Sequence, residues 1–275
     1  MEYRTLEGVS ITDIHDAFVD AFGSYEVPMS LSVAELSAIL DSRDVSLQLS
    51  VGCFDTDALV GFVLVGVRDG ARGRVTYDAA TGVRQGHQSK GIGSGMLHAL
   101  WAQLRAAGAV SFQLEVLENN SAAQTLYERH GCTITRRFVC VRTGRNPDHR
   151  LPEGWVVRTE LPEGIDEAMY NGYVPSWQQA IASTRGAHIV VRTEGSVPVA
   201  YGIIQSTSGS VMQLGIHPDW RSTIPVAEVV QAVASQTRAE LLRFVNVEAG
   251  SWMADELTEL RWEVFLYQYE MVKQL

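Results

Sequence analysis

The sequence predicts a mixed α/β fold, a mixed sheet with helices, laid out as two domains in tandem. Three observations carry this. Strand-like runs alternate with helical stripes through the first half of the chain. A polar stretch with two prolines and two glycines, TGRNPDHRLPEGW at 143–155, then interrupts the pattern. Behind it, the spacing of the first half returns. The resulting expectation is one domain over 1–145, a linker at 146–155 and a second domain over 156–275.

In the first half, a strand near YRTL precedes helices at SITDIHDAFVDAF and SVAELSAILDS. Runs at LQLSVGCF, LVGFVLVGV and GRVTYDAATGV follow at hairpin spacing and predict an antiparallel meander. Ile92, Met96, Leu97, Leu100, Trp101 and Leu104 then form one apolar helical stripe that ends near Gly108. In VSFQLEV the apolar positions Val110, Phe112, Leu114 and Val116 alternate with polar ones, so Glu115 leaves the buried face. Asn120 and Ser121 supply capping side chains for a helix at AAQTLYERH, stopped by Gly131, and CTITRRFVCVR is a closing strand.

Composition narrows the function classes. A chain of 275 residues with 46% hydrophobic content builds two cores. With 22 basic and 32 acidic residues the formal charge is −10, which argues against a nucleic-acid binder and tilts toward cationic partners. Cys53, Cys132 and Cys140 have no paired spacing, so neither a disulfide framework nor a metal knuckle is expected. The first residues lack the apolar core of a leader, and no run approaches the roughly 20 residues of a membrane span. The expectation is a cytoplasmic protein with no metal and no membrane attachment.

The stretch TGVRQGHQSKGIGSGM, residues 81–96, holds glycines at 91, 93 and 95 just ahead of the apolar helix. A dinucleotide fingerprint needs a glycine three residues after the second, and a P-loop needs Gly-Lys-Ser/Thr; neither spacing is present. What remains is a strand end at Thr81, Gly82 and Val83, a short polar arm, and amides from Gln88 to Ser94 opening a helix. Such amides form an anion site reinforced by the helix dipole. Gln88, Ser89 and Lys90 add side-chain donors, while Gly91, Ile92, Gly93 and Ser94 offer backbone N–H groups. Taken alone, the loop fits a tight strand-to-helix turn equally well.

The QxxGxG spacing at 88–93, joined to NxxAxxLYxxxG at Asn120, Ala123, Leu126, Tyr127 and Gly131, resembles the GNAT superfamily of N-acetyltransferases. The resemblance covers about residues 1–143, and QLEVLENNSAAQTLYERHGC is especially similar to members that acetylate protein N-termini. It implies acetyl-CoA as cosubstrate, its pyrophosphate on Gln88–Ser94, its pantetheine arm on a splayed strand at Thr81–Val83, and Asn120 touching that arm. It also implies a small-molecule or peptide amine as acceptor, on a protein that is a monomer or a homodimer.

Direct attack requires a neutral amine, and at pH 7 an alkylamine is neutral in roughly one part in 2,500. Glu115 is the candidate base, and Tyr127, twelve residues on, the candidate acid for the departing thiolate. A solvated strand glutamate and a packed helix aromatic are the competing roles for these two. Asp78, beside Tyr77, serves as base only where a bulge turns it inward; water is a third possibility. Tyr25 and Glu26 fall where such proteins form one wall of the acceptor site. A non-catalytic acyl-CoA-binding sensor or partner module would carry the same motifs.

The second half follows the frame and loses the residues. QLGIHPDWRSTIPVAEVVQAV aligns with 80–100 so that Arg221 matches Gln88, while Ile224 and Val226 replace Gly91 and Gly93. SWMADELTELRWE places Ser251 at Asn120, Thr258 at Tyr127 and Trp262 at Gly131. A degenerate second domain is expected, one that covers the acceptor cleft or takes the place of a dimer partner.

Overall fold

The computed structural model describes residues 1–23, 31–70 and 73–275. Tyr25 and Glu26 therefore lie outside the described residues. The chain divides into two compact units, residues 1–135 with 270–275, and residues 136–269. This differs from the continuous ranges 1–145 and 156–275 expected from the sequence, because two long strands change unit along their length.

Unit 1 opens with β1 (Glu2–Thr5), α1 (Ile11–Phe22) and α2 (Val33–Ser42). The Ser10 and Ser32 side chains cap the two helices, Ser32 in a capping box with Glu35, so the first-turn N–H groups find acceptors. Ile14, Ala17, Phe18 and Ala21 make the buried face of α1 at helical spacing. The strands β2 (Val51–Asp55), β3 (Ala58–Gly70) and β4 (Gly73–Val83) form the antiparallel meander, with β1 antiparallel to β2. LQLS, expected to begin the second strand, is mostly turn at 47–49; Ser50 Oγ donates there to Ser46 O and accepts from Val65 N.

The helix α3 (Ile92–Ala106) buries the six expected residues, from Ile92 to Leu104, and crosses to β5 (Ala109–Leu117), which runs parallel to β4. After β5 come α4 (Ser121–Arg129), capped by Asn120, and β6 (Thr133–Gly144), which passes into unit 2. The core of unit 1 gathers Leu36, Phe62, Leu64, Leu97, Leu100 and Phe112, each fully buried. The last residues of the chain complete it: Met271 is fully buried, Lys273 Nζ lies over the Trp101 ring, and Leu275 N donates to Val110 O.

Residues 145–154 contain no helix or strand. Unit 2 then repeats the order of unit 1, except that one short helix and a 3-10 turn at Ile181–Ser183 stand where unit 1 has two helices, with β7 (Trp155–Arg158), α5 (Glu167–Asn171), β8 (His188–Glu194), β9 (Val197–Gln205), β10 (Ser210–Ile216), α6 (Val226–Ala234), β11 (Leu241–Glu248), α7 (Trp252–Glu259) and the first part of β12 (Glu263–Gln274). Its strands β7 to β10 are antiparallel neighbours, β10 and β11 are parallel, and the unit 2 part of β6 pairs with β11. Among the described residues no helix is long and apolar enough to cross a membrane.

Candidate active site

The site of unit 1 begins with a strand that loses its neighbour. β4 pairs with β5 only from Arg74 to Tyr77, opposite Ala109 to Gln113, while its pairing with β3 continues to Val83. Past Tyr77 the two parallel strands part. At that point β4 carries one extra residue: Val65 pairs with Asp78 and Leu64 with Ala80, so Ala79 is bulged. Arg43 Nη1 donates to the Ala79 carbonyl at 2.7 Å. The bulge meets the condition under which Asp78 turns inward.

Asp78 is buried, and its Oδ2 accepts from Thr81 Oγ1 at 2.6 Å and from the Tyr127 hydroxyl at 2.9 Å. Its Oδ1 is buried with no hydrogen-bond partner among the described residues. Burial pushes the carboxyl up to about 6, against the two hydrogen bonds and the Arg43 charge, which favour the ionised form. Tyr127 is raised well above the ordinary phenol value, by burial first and then by the Asp78 charge. On β5, Glu115 accepts a short hydrogen bond from the Tyr77 hydroxyl, and Tyr77 in turn is raised by burial and by the Glu115 charge. Glu115 is thus a half-buried, engaged carboxyl rather than a solvated strand residue.

Beyond Val83 the chain makes a short 3-10 turn at Gln85–His87 and enters α3 through Ser89 at φ 60 and Gly91 at φ 77, both left-handed. The first intrahelical bond runs from Gly95 N to Gly91 O, which leaves the N–H groups of Ile92, Gly93 and Ser94 without helical acceptors. The three glycines differ in role. A Cβ on Gly91 would meet nothing within 4 Å; one on Gly93 would stand 3.1 Å from Leu126; one on Gly95 would overlap the Tyr3 ring. Gly91 faces open space, Gly93 lets α4 approach, and Gly95 makes room for the Tyr3 ring.

A cavity of about 530 Å³ joins these parts. Thr81, Gly82 and Val83 line one side, Gln88, Ser89, Gly91, Ile92, Gly93 and Ser94 one end, and the α4 face with Tyr127 the other side. Three expected residues stand differently. Lys90 is not in the lining and donates to Gly86 O at 2.8 Å; the Gln88 amide donates to Val83 O at 3.1 Å; Asn120 accepts from Ala123 N as the helix cap, outside the lining. Glu115 and Asp78 stand outside the lining as well, Asp78 behind Tyr127.

The cavity also contains residues the sequence left unassigned: His87, Ala122, Thr125, Arg129 and His130. His130 bridges two helices, its Nδ1 accepting from Trp101 Nε1 at 3.3 Å and its Nε2 within 2.7 Å of Ser94 Oγ. The first bond fixes the proton on Nε2, which then donates to Ser94. Burial lowers the His130 value, consistent with a neutral ring. The signal was the helical spacing of Ala122, Ala123, Leu126, Tyr127 and His130, which places them on one face of α4.

Unit 2 has the same backbone and none of this chemistry. β10 is bulged at Met212, between Val211 and Gln213, matching Ala79 in β4. Gly215 opposes Tyr201 as Gly82 opposes Phe62, and a Cβ at either glycine would overlap the facing ring. In that register Val211 stands at Asp78, Leu214 at Thr81 and Val245 at Glu115, and the motif spacing places Thr258 at Tyr127. Ile224 and Val226, at the places of Gly91 and Gly93, are buried, and Pro225 between them has no N–H. The Arg221 guanidinium lies 4.2 Å over the Trp252 ring of α7 and donates to Met169 O of α5 at 2.7 Å.

A parted parallel strand pair, a bulge beside the parting and an anion-receptive helix start together make a cleft suited to an anionic ligand that carries an extended arm. Residues 11–132, within unit 1, match the model of the acetyltransferase (GNAT) family. The whole chain is similar to a GCN5-related N-acetyltransferase from Sphaerobacter thermophilus, at 15% identity and a TM-score of 0.69, covering 99% of this chain and 95% of that one. It is also similar to a tandem GNAT protein from the clavulanic acid biosynthesis pathway, at 12% identity and a TM-score of 0.70, covering 99% and 98%. At such identities the likeness defines the fold, two GNAT-type folds in one chain. No curated protein matches the chain.

Proposed function

We propose that unit 1 transfers an acetyl group from acetyl-CoA to a primary amine of a small molecule or peptide by direct attack. The observation that carries this is the single cavity that joins the free edge of β4, the open side of Gly91 and the Tyr127 ring. It fits the cosubstrate: N–H groups of Ile92, Gly93 and Ser94 meet a pyrophosphate, Arg129 adds a positive charge, and Thr81–Val83 offer backbone groups to an amide-bearing arm. When bound, the cosubstrate supplies an activated acetyl thioester.

The residues of the chain divide the remaining work. A backbone N–H of the parted strand stabilises negative charge on the thioester oxygen, an effect worth about 3 kcal/mol in comparable sites. Glu115, held by Tyr77, takes the proton of the attacking amine, and Tyr127 returns a proton to sulfur. Unit 2, with Ile224, Pro225 and Val226 where unit 1 has Gly91 to Gly93, has no part in cosubstrate binding on this reading.

Release of CoA thiol across a panel of primary amines, from polyamines and amino sugars to peptides with free N-termini, tests the proposal. We expect acceptor-dependent release, with Tyr127→Phe lowering kcat at least tenfold and leaving the KM for acetyl-CoA within about twofold. Full kcat in that variant removes Tyr127 from the acid role. Thermal stabilisation by acetyl-CoA with no acceptor acetylated would establish the sensor role instead.

A further inference from the structure

Tyr127 has one hydroxyl proton. In the structure it is donated to Oδ2 of Asp78, a residue outside the lining of the cavity to which Tyr127 belongs. A tyrosine in that state has no proton to offer a sulfur in the cavity, so the acid role needs a second state of the pair.

We infer that Asp78 is a proton-operated positioning residue for Tyr127: ionised, it holds the phenol proton; protonated, it donates to the phenol oxygen and frees that proton for the cavity. This rests on the acid role of Tyr127 in the proposed transfer. Thr81 donates to the same Oδ2 and anchors the carboxyl in place while its proton comes and goes. The proton that turns toward the phenol sits on Oδ2, 2.9 Å from it, while Oδ1 is buried with no hydrogen-bond partner among the described residues, so no donor there favours the ionised form. A carboxyl pushed up to about 6 by burial reaches both states near neutrality.

The charged and titratable groups that face Asp78 come from several elements. Arg43 at the end of α2 favours the carboxylate, Tyr77 on β4 shares its hydroxyl with Glu115 on β5, and Tyr127 faces it from α4. Cys132, just past α4, is kept protonated by burial, its thiol pushed up to about 12, with Lys273 from the final strand beside it. Of these groups, only the Asp78 carboxyl both touches the Tyr127 hydroxyl and has a value near neutrality.

The step balances. As the Tyr127 O–H bond breaks and the S–H bond forms, the Asp78 proton passes to the phenol oxygen, so a neutral tyrosine and a carboxylate remain. The proton that Glu115 took from the amine leaves to solvent, and one solvent proton restores Asp78.

The test uses the full chain with carbon-13 at the tyrosine Cζ atoms, the Tyr127 resonance being assigned from Tyr127→Phe. We expect the Tyr127 resonance to shift once between pH 4.5 and 7.5 in the wild type and to stay flat in Asp78→Asn, whose amide donates permanently to the phenol oxygen. A flat wild-type resonance overturns the inference on its own, whether or not Asp78→Asn folds. An identical shift in Asp78→Asn does the same.

This readout needs no acceptor, so its failure is distinct from a failure to find an acetylated amine. With an acceptor in hand, the wild-type kcat should fall on the alkaline side of that midpoint, by up to about tenfold per pH unit. Asp78→Asn should lose that limb while keeping its KM for acetyl-CoA, and an unchanged limb overturns the inference.

Discussion

At the scale of single residues, the site turns on carboxyls whose surroundings differ. Asp78 has a folded value of about 6, above the roughly 3.9 of an unperturbed aspartate, because burial disfavours its charge. The native state therefore holds this proton more tightly than the unfolded chain. Its contribution to stability is complete below about pH 4 and is lost as pH rises through about 6, a change of about 3 kcal/mol for this group. Asp78→Asn should remove that slope: the stability of the variant relative to wild type, from urea denaturation at several pH values, should grow between pH 4 and 7. An invariant difference would place the Asp78 value near that of an ordinary carboxyl. The placement of Glu115 off the buried face of its strand and of Tyr127 on its helix was legible in the sequence, from strand alternation and from the motif around the tyrosine, and their proposed roles await the experiments above. The Asp78–Tyr127 hydrogen bond was not, because it depends on one extra residue in β4, and bulges follow from the register of three strands.

At the scale of elements, the glycine loop shows how one motif serves several physical needs. Spacing excluded nucleotide loops, and the amides at the start of α3 stand as that reasoning expects. The motif could not separate the roles of its glycines, since those depend on Leu126 and Tyr3, which approach from α4 and β1. The difference is open to substitution. Gly91→Asn tolerates the left-handed backbone, so we expect a loss below about 1 kcal/mol in folding stability, while its side chain enters the open space and weakens acetyl-CoA at least tenfold by calorimetry. Gly95→Ala should do the reverse, lowering the melting temperature through its overlap with the Tyr3 ring and leaving acetyl-CoA affinity within about threefold. Equal effects on affinity from both variants would contradict the division of roles.

At the scale of the whole molecule, the chain ends where it began. Residues 270–275 belong to unit 1, so the stability of the N-terminal fold depends on the last residues of the sequence. Met271, fully buried, offers the test: Met271→Ala should cost about 2–5 kcal/mol and should lower hydrogen-exchange protection in α3 and β5. Unchanged protection there would separate the C-terminal segment from the first unit. The tandem plan itself was legible, because WRSTIPV and SWMADELTEL repeat the spacing of the first half with the glycines and the tyrosine replaced. The exchanged strand ends were not, since CTITRRFVCVR and the final strand carry the same kind of apolar pattern whichever unit they join.

The sequence by itself determined the order of strands and helices and the helix start suited to an anion, put forward Glu115 and Tyr127 as candidates, and showed the replacement of the glycines and the tyrosine in the second half. These depend on local periodicity and capping, which act between residues a few positions apart. Only the tertiary structure decided which carboxyl meets Tyr127, which glycine faces open space, how His130 joins Ser94 to Trp101, and which unit owns each terminal strand. Each of these is a contact between segments far apart in the chain, fixed by strand register and close packing rather than by the residues on either side.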